Sequence, residues 1–491
     1  MAASASSSAT GEAELPSLNA PDDAFVARLA PSLPPDTLRP AEDRHREELR
    51  RISRGTAAHV ALPRSTAEVA TIVRACAEAR VAIVPYGGGT GLVGGQIDAT
   101  SIRGGAGALV LSLERMNAVR SVHPDEGAMV VEAGAILSDV HAAAEDAELM
   151  FPLSLGSKGS ARIGGLLATN AGGTAVLRYG NMRELTLGIE AVLPDGSVMD
   201  AAHRLRKSNM GYDLRHLLIG SEGTLGIITA ATLRLFPQPR DRAAAFLQVG
   251  SPEDAVALLA LARAQVGDAV TGCELIDGQG LRWLAETHPA IRQPLDPIPD
   301  WSALLEVSLF TGSAAEALEG IAGAAIEAGL VKDGTVSASE AQRDAFWAVR
   351  ESIPEANRAV GALASHDVSV PVSAVPQLIR EGRTELSAML PGLRFNTFGH
   401  VGDGNVHYNL FPPEGTTKAD HAAIVPVLTR ALHDRVAALG GAISAEHGIG
   451  RHKSGELARL GDPAALAAMK AVKRALDPLG IMNPGAVLVR D

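Results

Sequence analysis

The sequence predicts an α+β protein built from more than one domain. A chain of 491 residues is longer than a single hydrophobic core usually serves. From Ala61 to Leu235, short apolar runs alternate with glycine-rich loops, and this region closes at the turn-rich residues Phe236–Pro239. Strand and helix patterns then alternate again. We expect four parts: a disordered tail at residues 1–20, a first domain at 21–237, a second domain at 238–446 and a C-terminal segment at 447–491.

The first domain is expected to open with a helix and a short strand. Ser65-Thr66-Ala67-Glu68 has the pattern of a capping box, in which side chains bond the free N–H groups at a helix start. The apolar residues that follow recur at the spacing of one helix face: Val69, Ile72, Val73 and Cys76. Val81–Val84 then predicts a short buried strand that leads into the first glycine loop.

The second domain has the pattern of an internal duplication. Helix starts at Ser251-Pro252 and at Ser313-x-x-Glu316 each lie between two strand-like runs. The four expected strands are 244–249, 269–275, 303–309 and 330–336. Two strand–helix–strand units in series predict a ferredoxin-like α+β sheet with helices on one face.

Composition limits the classes of partner and location. A net charge of −12 without a basic stripe argues against nucleic acid, and no run approaches the ~18 apolar residues of a membrane span. Residues 1–20 contain no Lys or Arg, so we expect neither a signal nor a transit peptide. The expected location is the cytoplasm, with peripheral membrane attachment as an alternative. Two cysteines support neither a disulfide framework nor a cysteine-based zinc site.

The first glycine loop, Gly87–Gly95, contains six glycines. Gly89-x-Gly91-x-x-Gly94 matches the dinucleotide fingerprint, which would make this a nicotinamide-binding unit. That fingerprint needs a helix directly after its third glycine. Gly95–Gly107 has four glycines and no helical periodicity, so we expect the loop to bind phosphate through a nest of backbone N–H groups instead.

Two further glycine-rich loops follow, at Gly156–Gly173 and Gly220–Gly226, and the latter enters a β-branched strand. A single loop of this kind is as easily explained by tight turns without any ligand. Three in one domain favour a backbone that approaches a large ligand closely, because glycine leaves the space that a side chain would fill.

The sharpest local signal is the stretch Phe398–Asn409. Asp403-Gly404 is typical of a two-residue hairpin turn, which would place His400 directly opposite His407 with Cβ atoms ~5 Å apart. Asn409 would project from the same face. Glu446, followed by His447, is the candidate third ligand. Two histidines and one carboxylate suit zinc, manganese or another first-row ion, with positions open for a substrate.

An anion site is expected on a separate helix. Ser339-x-x-Gln342 caps a helix that bears Phe346 and Trp347 and ends at Pro354. Arg350 lies four and three residues after those aromatic residues and so shares their inward face. A buried arginine needs a partner, which is either a substrate carboxylate or an internal salt bridge.

The glycine loops resemble those of the FAD-binding domain shared by relatives of vanillyl-alcohol oxidase and p-cresol methylhydroxylase. The C-terminal motifs resemble the FAD-linked D-lactate, glycolate and D-2-hydroxyglutarate dehydrogenase branch, over about residues 45–490. The resemblance implies a two-subdomain FAD-binding domain of the vanillyl-alcohol oxidase type and a ferredoxin-like α+β substrate (cap) domain. It implies non-covalent FAD as well, because neither the first nor the second loop contains a histidine or cysteine.

The resemblance also implies the residues that contact FAD. The first loop would hold the pyrophosphate and the second would line the ribityl chain and isoalloxazine ring. The matching positions are Tyr86, Gly87, Gly88, Gly89, Thr90, Gly91, Leu92, Gly95, Gly156, Ser157, Gly159, Gly164, Gly165, Ala168, Thr169, Asn170, Gly172, Gly173, Glu222, Gly223, Gly226, Ile227 and Asn483.

At the matching polar positions, the resemblance implies that His400, His407 and Glu446 bind the metal. His447 would be the catalytic base and would contact the substrate together with Arg350 and Asn409. Two departures weaken the case for a second substrate carboxylate. Ser365 stands where D-2-hydroxyglutarate dehydrogenases commonly have lysine, and Pro354 stands where some members have threonine.

The expected reaction is oxidation of a D-2-hydroxy acid, such as D-2-hydroxyglutarate or D-lactate, to the 2-oxo acid. Electrons would leave to an electron-transfer flavoprotein or a quinone, and a homodimer is one expected assembly. Three alternatives stay open: an FAD subunit of a glycolate-oxidising complex, a zinc-dependent hydrolase whose glycine loops are only structural, and a non-catalytic flavin-binding module.

Overall fold

The computed structural model describes residues 17–98 and 107–489. Residues 1–16 of the expected tail lie outside the described residues. Just before position 21 the chain is already packed, since Leu18 is buried and Asn19 forms a parallel bridge with Val81. None of the helices in the described ranges combines the length and the hydropathy needed to cross a membrane.

The helices of the described residues occur along the whole chain. They are α1 Asp23–Leu29, α2 Thr66–Ala79, α3 Leu137–Glu145, α4 Ile163–Ala168, α5 Val176–Tyr179, α6 Leu214–Leu218, α7 Pro252–Val266, α8 Gly278–Thr287, α9 Ala314–Glu327, α10 Glu340–Val360, α11 Val375–Met389, α12 Val425–Ala438, α13 Ser454–Leu460 and α14 Pro463–Leu476.

A small sheet carries the first glycine loop at one strand end. Its strands are β1 Leu38–Pro40, β2 His59–Ala61, β3 Ile83–Tyr86 and β4 Leu109–Ser112, in the order β1-β2-β4-β3. Strands β2, β3 and β4 are parallel, and β1 is antiparallel to β2. The predicted start of α2 is confirmed, because Ser65 Oγ accepts from Glu68 N at 3.3 Å. The Glu68 carboxylate accepts from Arg64 N at 2.9 Å and from the Ser65 hydroxyl group at 3.5 Å.

An antiparallel sheet carries the other two glycine loops. The strands of this sheet are β5 Val119–His123, β6 Ala128–Glu132, β8 Thr186–Val192, β9 Val198–Ala201 and β10 Ile227–Arg234. A neighbouring two-stranded sheet consists of β7 Leu149–Met150 and β11 Phe236–Pro237. The large sheet has the order β5-β6-β10-β8-β9, and β7 pairs with β11. Part of the second expected loop is helical, since α4 buries Ile163, Leu166 and Leu167 in the core.

The third sheet lies within the residues expected to form the second domain and is entirely antiparallel. Its strands are β12 Asp241–Val249, β13 Val270–Asp277, β14 Trp301–Leu309, β15 Val331–Val336, β16 Ala364–Ser369, β17 Arg394–His400 and β18 Asn405–Phe411. Their order is β15-β12-β14-β13-β17-β18-β16. The first four have the strand order of a ferredoxin-like unit, so that prediction is confirmed. The other three strands extend the same sheet.

Helices cover both faces of this sheet, whereas helices on one face were expected. The cluster on one face includes residues of α7, α9, α11 and α12. The other face packs against α8 and α10 through a cluster that includes Leu281, Phe346 and Phe398. The candidate polar residues lie at the edge of this second face, beside α10.

The expected register of the β17–β18 hairpin is wrong by two residues. Phe398, not His400, stands opposite His407. The connection is longer than the two residues Asp403-Gly404, because Asp403 N and Gly404 N both bond back to His400 O at 3.2 Å. His400 and His407 are therefore diagonal neighbours, which long side chains can still bridge.

The helix that bears Arg350 does not end at Pro354 as expected. Helix α10 continues through the proline to Val360. Proline removes one helical hydrogen bond. On either side of it, however, Ile353 and Ala356 pack in the cluster between this helix and the third sheet, and Asn357 is buried as well. Packing therefore carries the helix past its missing bond. The predicted cap is confirmed, since Ser339 Oγ accepts from Gln342 N at 3.2 Å.

Candidate functional site

The first two glycine loops lie against one another. A Cβ built on Gly88 would meet Ser160 O at 2.0 Å, and one built on Gly87 would lie 3.5 Å from Gly165 Cα. Gly89 and Gly94 have φ angles of +73° and +71°, which favour glycine. The loops thus form a cradle that side chains would fill, and this fits a dinucleotide whose phosphates approach the backbone.

The other expected FAD-contact positions of the second loop surround α4. Gly156, Ser157 and Gly159 precede the helix, Gly164, Gly165 and Ala168 lie in it, and Thr169, Asn170, Gly172 and Gly173 follow it. A Cβ on Gly165 would meet nothing within 4 Å, so this face of the helix start is open. A Cβ on Gly172 would lie 3.6 Å from Glu446 Oε1. The second loop therefore runs beside the candidate metal ligands.

The third loop is tied to the C-terminal segment by polar side chains. Glu222 is buried, and its carboxylate accepts from Ile449 N at 2.7 Å and Gly450 N at 2.8 Å. Asn483 donates to Gly95 O at 3.0 Å and to Glu222 O at 2.7 Å. Both were expected to contact FAD, and both join protein segments here. Gly223, Gly226 and Ile227 continue this loop into β10.

Arg451 is a further residue that the sequence analysis missed. Its guanidinium donates to Gly94 O at 2.9 Å, to Gly95 O at 3.1 Å and to Asn483 Oδ1 at 2.7 Å. Burial lowers the pKa of Arg451 to about 10. This side chain therefore fixes the end of the first glycine loop to the C-terminal segment.

Replacing Gly88 with Ala should weaken FAD binding, because the new Cβ cannot share space with the Ser160 carbonyl. Forced overpacking of this kind costs about 1–3 kcal/mol, so we expect the FAD dissociation constant to rise about tenfold or more in a fluorescence titration. Gly323→Ala is the matched control, since a Cβ there meets nothing within 4 Å. Equal FAD affinity of Gly88→Ala and wild type would contradict the close approach of the two loops.

His400, His407 and Glu446 come together as predicted, although the hairpin register differs. Their candidate ligand atoms lie within 4.8 Å of one another. His400 Nε2 is 3.7 Å from Glu446 Oε1, and the two imidazole centroids are 5.5 Å apart. Two nitrogens and a carboxylate oxygen in this arrangement fit a divalent first-row ion. Burial lowers the pKa of His407 to about 3, whereas the Glu274 carboxylate outweighs burial and raises the pKa of His400 to about 9, so a metal ion would displace a proton from His400.

Glu274 in β13 is a second residue that the sequence analysis missed. Its buried carboxylate accepts from Arg350 Nε at 2.6 Å and contacts His400 Nδ1. Burial alone would raise the pKa of Glu274, but His400 and Arg350 outweigh it and hold that pKa at about 2. A charged residue in the middle of an otherwise buried strand was the signal that could have identified it.

Asp367 in β16 is the third missed residue and lies behind His407 and His447. Asp367 Oδ2 is 3.4 Å from His447 Nδ1 and accepts from the backbone N–H groups of Glu446 and His447 at 2.9 and 3.1 Å. Asp367 Oδ1 is 3.6 Å from His407 Nδ1. Burial opposes ionisation of Asp367, but His447 and His407 lower its pKa overall. A carboxylate behind two imidazoles orients their rings.

Replacing Asp367 with Asn should lower kcat about 10- to 100-fold, the usual cost of losing a carboxylate behind a ligating or reacting histidine. FAD content should stay at the wild-type level, because the bonds described above join Asp367 to residues 407, 446 and 447 and not to a glycine loop. Steady-state kinetics and the flavin absorbance ratio measure both. Asp434→Asn, which alters an exposed ion pair with Arg459, is the control. A kcat within twofold of that control would contradict the orienting role.

Arg350 is buried and faces inward, as expected. Of its two predicted partners, a substrate carboxylate and an internal salt bridge, the structure contains the salt bridge. Glu274 supplies the internal salt bridge, through Nε alone. The guanidinium carbon lies 4.6 Å from the centre of the Phe398 ring.

Asn409 is buried beside Asn396, and its amide donates to the carbonyls of Asn396 and His407 at 3.1 Å. Ser365 is exposed and pairs with Asn409 across β16 and β18.

Comparison with known proteins identifies the fold. The described fold is similar to 4-ethylphenol oxidase from Gulosibacter chungangensis, with a TM-score of 0.72, 18% identity and coverage of 97% of this chain and 99% of that one. It is also similar to p-cresol methylhydroxylase, with a TM-score of 0.73, 15% identity and coverage of 95% and 96%. The fold is therefore that of the vanillyl-alcohol oxidase and p-cresol methylhydroxylase class of flavoproteins, as predicted.

Sequence comparison narrows the class. Residues 57–202 match an FAD binding domain, and residues 238–487 match the C-terminal domain of FAD-linked oxidases. A Xanthomonas citri protein named D-2-hydroxyglutarate dehydrogenase is 38% identical over 430 residues, 87% of this chain and 88% of its own. A mitochondrial protein of that name from Bos taurus is 36% identical over 439 residues, 89% of this chain and 78% of its own. The chain belongs to the FAD-linked D-2-hydroxy acid dehydrogenases.

Proposed function

We propose that the chain oxidises a D-2-hydroxy acid, such as D-2-hydroxyglutarate or D-lactate, to the 2-oxo acid with non-covalent FAD and one divalent metal ion, zinc or manganese. The observation that supports this best is the continuity of the polar cluster. Glu274 joins Arg350 to His400, and His400 lies 3.7 Å from Glu446, which precedes His447 in the chain. An anion-binding group, a metal-ligand set and a base thus adjoin one another.

In this proposal each side chain has a separate role. Arg350 binds the substrate carboxylate, and His400, His407 and Glu446 hold the metal. His447 Nδ1 faces Asp367 at 3.4 Å, which leaves Nε2 to take the proton of the 2-hydroxyl group. Burial lowers the pKa of His447, so its imidazole is the neutral form that can accept that proton. When bound, FAD would supply an acceptor for the C2 hydride, and a metal held by His400, His407 and Glu446 would supply a Lewis acid that lowers the pKa of the hydroxyl group.

The proposal also concerns whether the substrate carries a second carboxylate, distant from its 2-hydroxyl group. The Xanthomonas citri and Bos taurus relatives are named for D-2-hydroxyglutarate, a dicarboxylate. Ser365 and Pro354 supply no cation for a distal carboxylate. We therefore extend the substrate class to monocarboxylates such as D-lactate. Asn409 is kept as a substrate contact in this proposal.

The test is anaerobic mixing of the FAD-loaded protein with single 2-hydroxy acids in a stopped-flow spectrometer. The flavin band should bleach with a D-2-hydroxy acid and persist with its L-enantiomer. A comparison of D-2-hydroxyglutarate with D-lactate then ranks the two substrates. A flavin that bleaches with none of these acids would contradict the proposal. A colourless protein that retains one metal after FAD reconstitution would instead support the zinc-dependent hydrolase.

The partners and the location remain predictions. A Saccharomyces cerevisiae relative, 32% identical over 442 residues, is named as a D-2-hydroxyglutarate–pyruvate transhydrogenase. Reoxidation of the reduced flavin by an electron-transfer flavoprotein, a quinone or pyruvate distinguishes the acceptors. Turnover by the isolated chain distinguishes a self-sufficient dehydrogenase from an FAD subunit of a glycolate-oxidising complex. The cytoplasmic location and the homodimer are tested by fractionation and by light scattering.

A further inference from the structure

We propose that Glu274 is a positioning residue that aligns the substrate-binding arginine and one metal ligand at the same time. The inference rests on the proposed function and adds a residue to it. Glu274 lies in the middle of β13, where its neighbours across the sheet are Leu304 and His400. Its side chain is 1% exposed. A carboxylate so deeply buried is unfavourable unless partners satisfy both of its oxygens.

One oxygen of Glu274 sets the orientation of Arg350. Oε2 accepts from Nε at 2.6 Å, and the guanidinium carbon lies 4.6 Å from the centre of the Phe398 ring. Among the described residues, Arg350 donates its side-chain hydrogen bond through Nε, and neither terminal nitrogen donates a hydrogen bond to another group of the protein. A guanidinium held through Nε presents these two nitrogens as a fork, and a carboxylate accepts two parallel hydrogen bonds from such a fork. The salt bridge therefore prepares the arginine for a substrate and does not use up its binding capacity.

The other oxygen of Glu274 sets the orientation of His400. Contact with Oε1 keeps a proton on Nδ1, and Nε2 then points toward Glu446 at 3.7 Å. A carboxylate behind a ligating histidine fixes its tautomer and its ring plane. His400 is thereby presented to the metal through Nε2.

The two contacts share one side chain, so the positions of the anion-binding fork and the metal ligand are linked. A 2-hydroxy acid bound through its carboxylate and its hydroxyl group requires a fixed separation between these two sites. Glu274 fixes that separation from behind, without touching the substrate. Asp367 has the corresponding place behind His407 and His447, but it has no contact with the arginine.

The decisive experiment compares Glu274→Gln with Glu306→Gln in FAD-loaded protein. Glu306 is a matched control, because it lies in the neighbouring strand β14 and bonds Thr271 and Trp347 at 2.8 and 2.7 Å, outside the site. Zinc affinity is measured by competition with a chromogenic chelator, and KM and kcat with D-2-hydroxyglutarate and D-lactate. For Glu274→Gln we expect the zinc dissociation constant to rise about 10- to 100-fold and KM to rise about tenfold or more. FAD content and the Glu306→Gln values should match wild type.

Values of zinc affinity and KM within twofold of wild type would overturn the inference. If Glu274→Gln fails to fold, Glu274→Asp keeps the buried charge but is one methylene shorter, so it can reach only one of the two partners. Wild-type zinc affinity together with wild-type KM in Glu274→Asp would overturn the inference equally. A wild-type protein that binds no zinc and bleaches with no 2-hydroxy acid overturns the proposed function and the inference together, so the two failures are distinguishable.

Discussion

Replacing His447 with Asn should slow anaerobic reduction of the flavin by a D-2-hydroxy acid about 10²- to 10⁴-fold, the usual contribution of a positioned general base. Asparagine is close to histidine in size but cannot take a proton at neutral pH. The backbone N–H of residue 447 still reaches Asp367, so the surrounding loop should keep its place. FAD should remain bound, because the glycine loops that form its cradle do not include this side chain. Stopped-flow absorbance measures the reduction rate directly.

The control for this variant is His421→Asn, which changes a partly buried histidine bonded to Thr416. It should reduce its flavin at the wild-type rate. A His447→Asn protein that does the same would contradict the assignment of the base.

Removing the metal should have an effect of similar size. A Lewis acid contributes several kcal/mol to stabilising developing negative charge, and each 1.4 kcal/mol corresponds to about a factor of ten in rate. Dialysis against a chelator should therefore lower kcat about 10²- to 10⁴-fold, and addition of Zn²⁺ or Mn²⁺ should restore it. The FAD content should not change, since none of the three ligands belongs to the glycine loops that form the cradle.

His407→Ala is the genetic counterpart of chelation. It should bind zinc more weakly, and added metal should restore little of its activity. Full activity of the chelated wild-type protein, with metal analysis showing less than one-tenth of an ion per chain, would contradict the metal-assisted mechanism. The flavin chemistry would then depend on Arg350 and His447 alone.

The parts of the fold that the sequence predicted well are those that local signals encode. Both helices of the ferredoxin-like unit begin at a serine whose side chain caps the first turn, at Ser251 and Ser313. Helical and strand periodicities change at these positions, so the order of elements could be read directly. The sequence did not predict the three extra strands β16–β18 as part of the same sheet, because strand pairing over long separations has no local signature.

The site shows the same division between local and distant information. The contact of His400 with His407 was predicted, but from a two-residue turn that does not form. It survives because a shift of two residues keeps a side chain on the same face of the sheet. Helix α10 passes Pro354 because packing on both sides outweighs one missing bond. Glu274 and Asp367 were missed because their roles come from distant partners. These lie 76 and 126 residues away from Glu274, and 40 and 80 residues away from Asp367.

The loop that carries Glu446 and His447 is held from two sides, by Asp367 of the second domain and by Glu222 of the first. The reacting groups are thus placed by two distant parts of the chain at once. On heating, catalytic activity should therefore disappear when either contact of this loop is lost. A substitution that loosens the core far from the flavin can therefore inactivate the enzyme without altering any residue of the site.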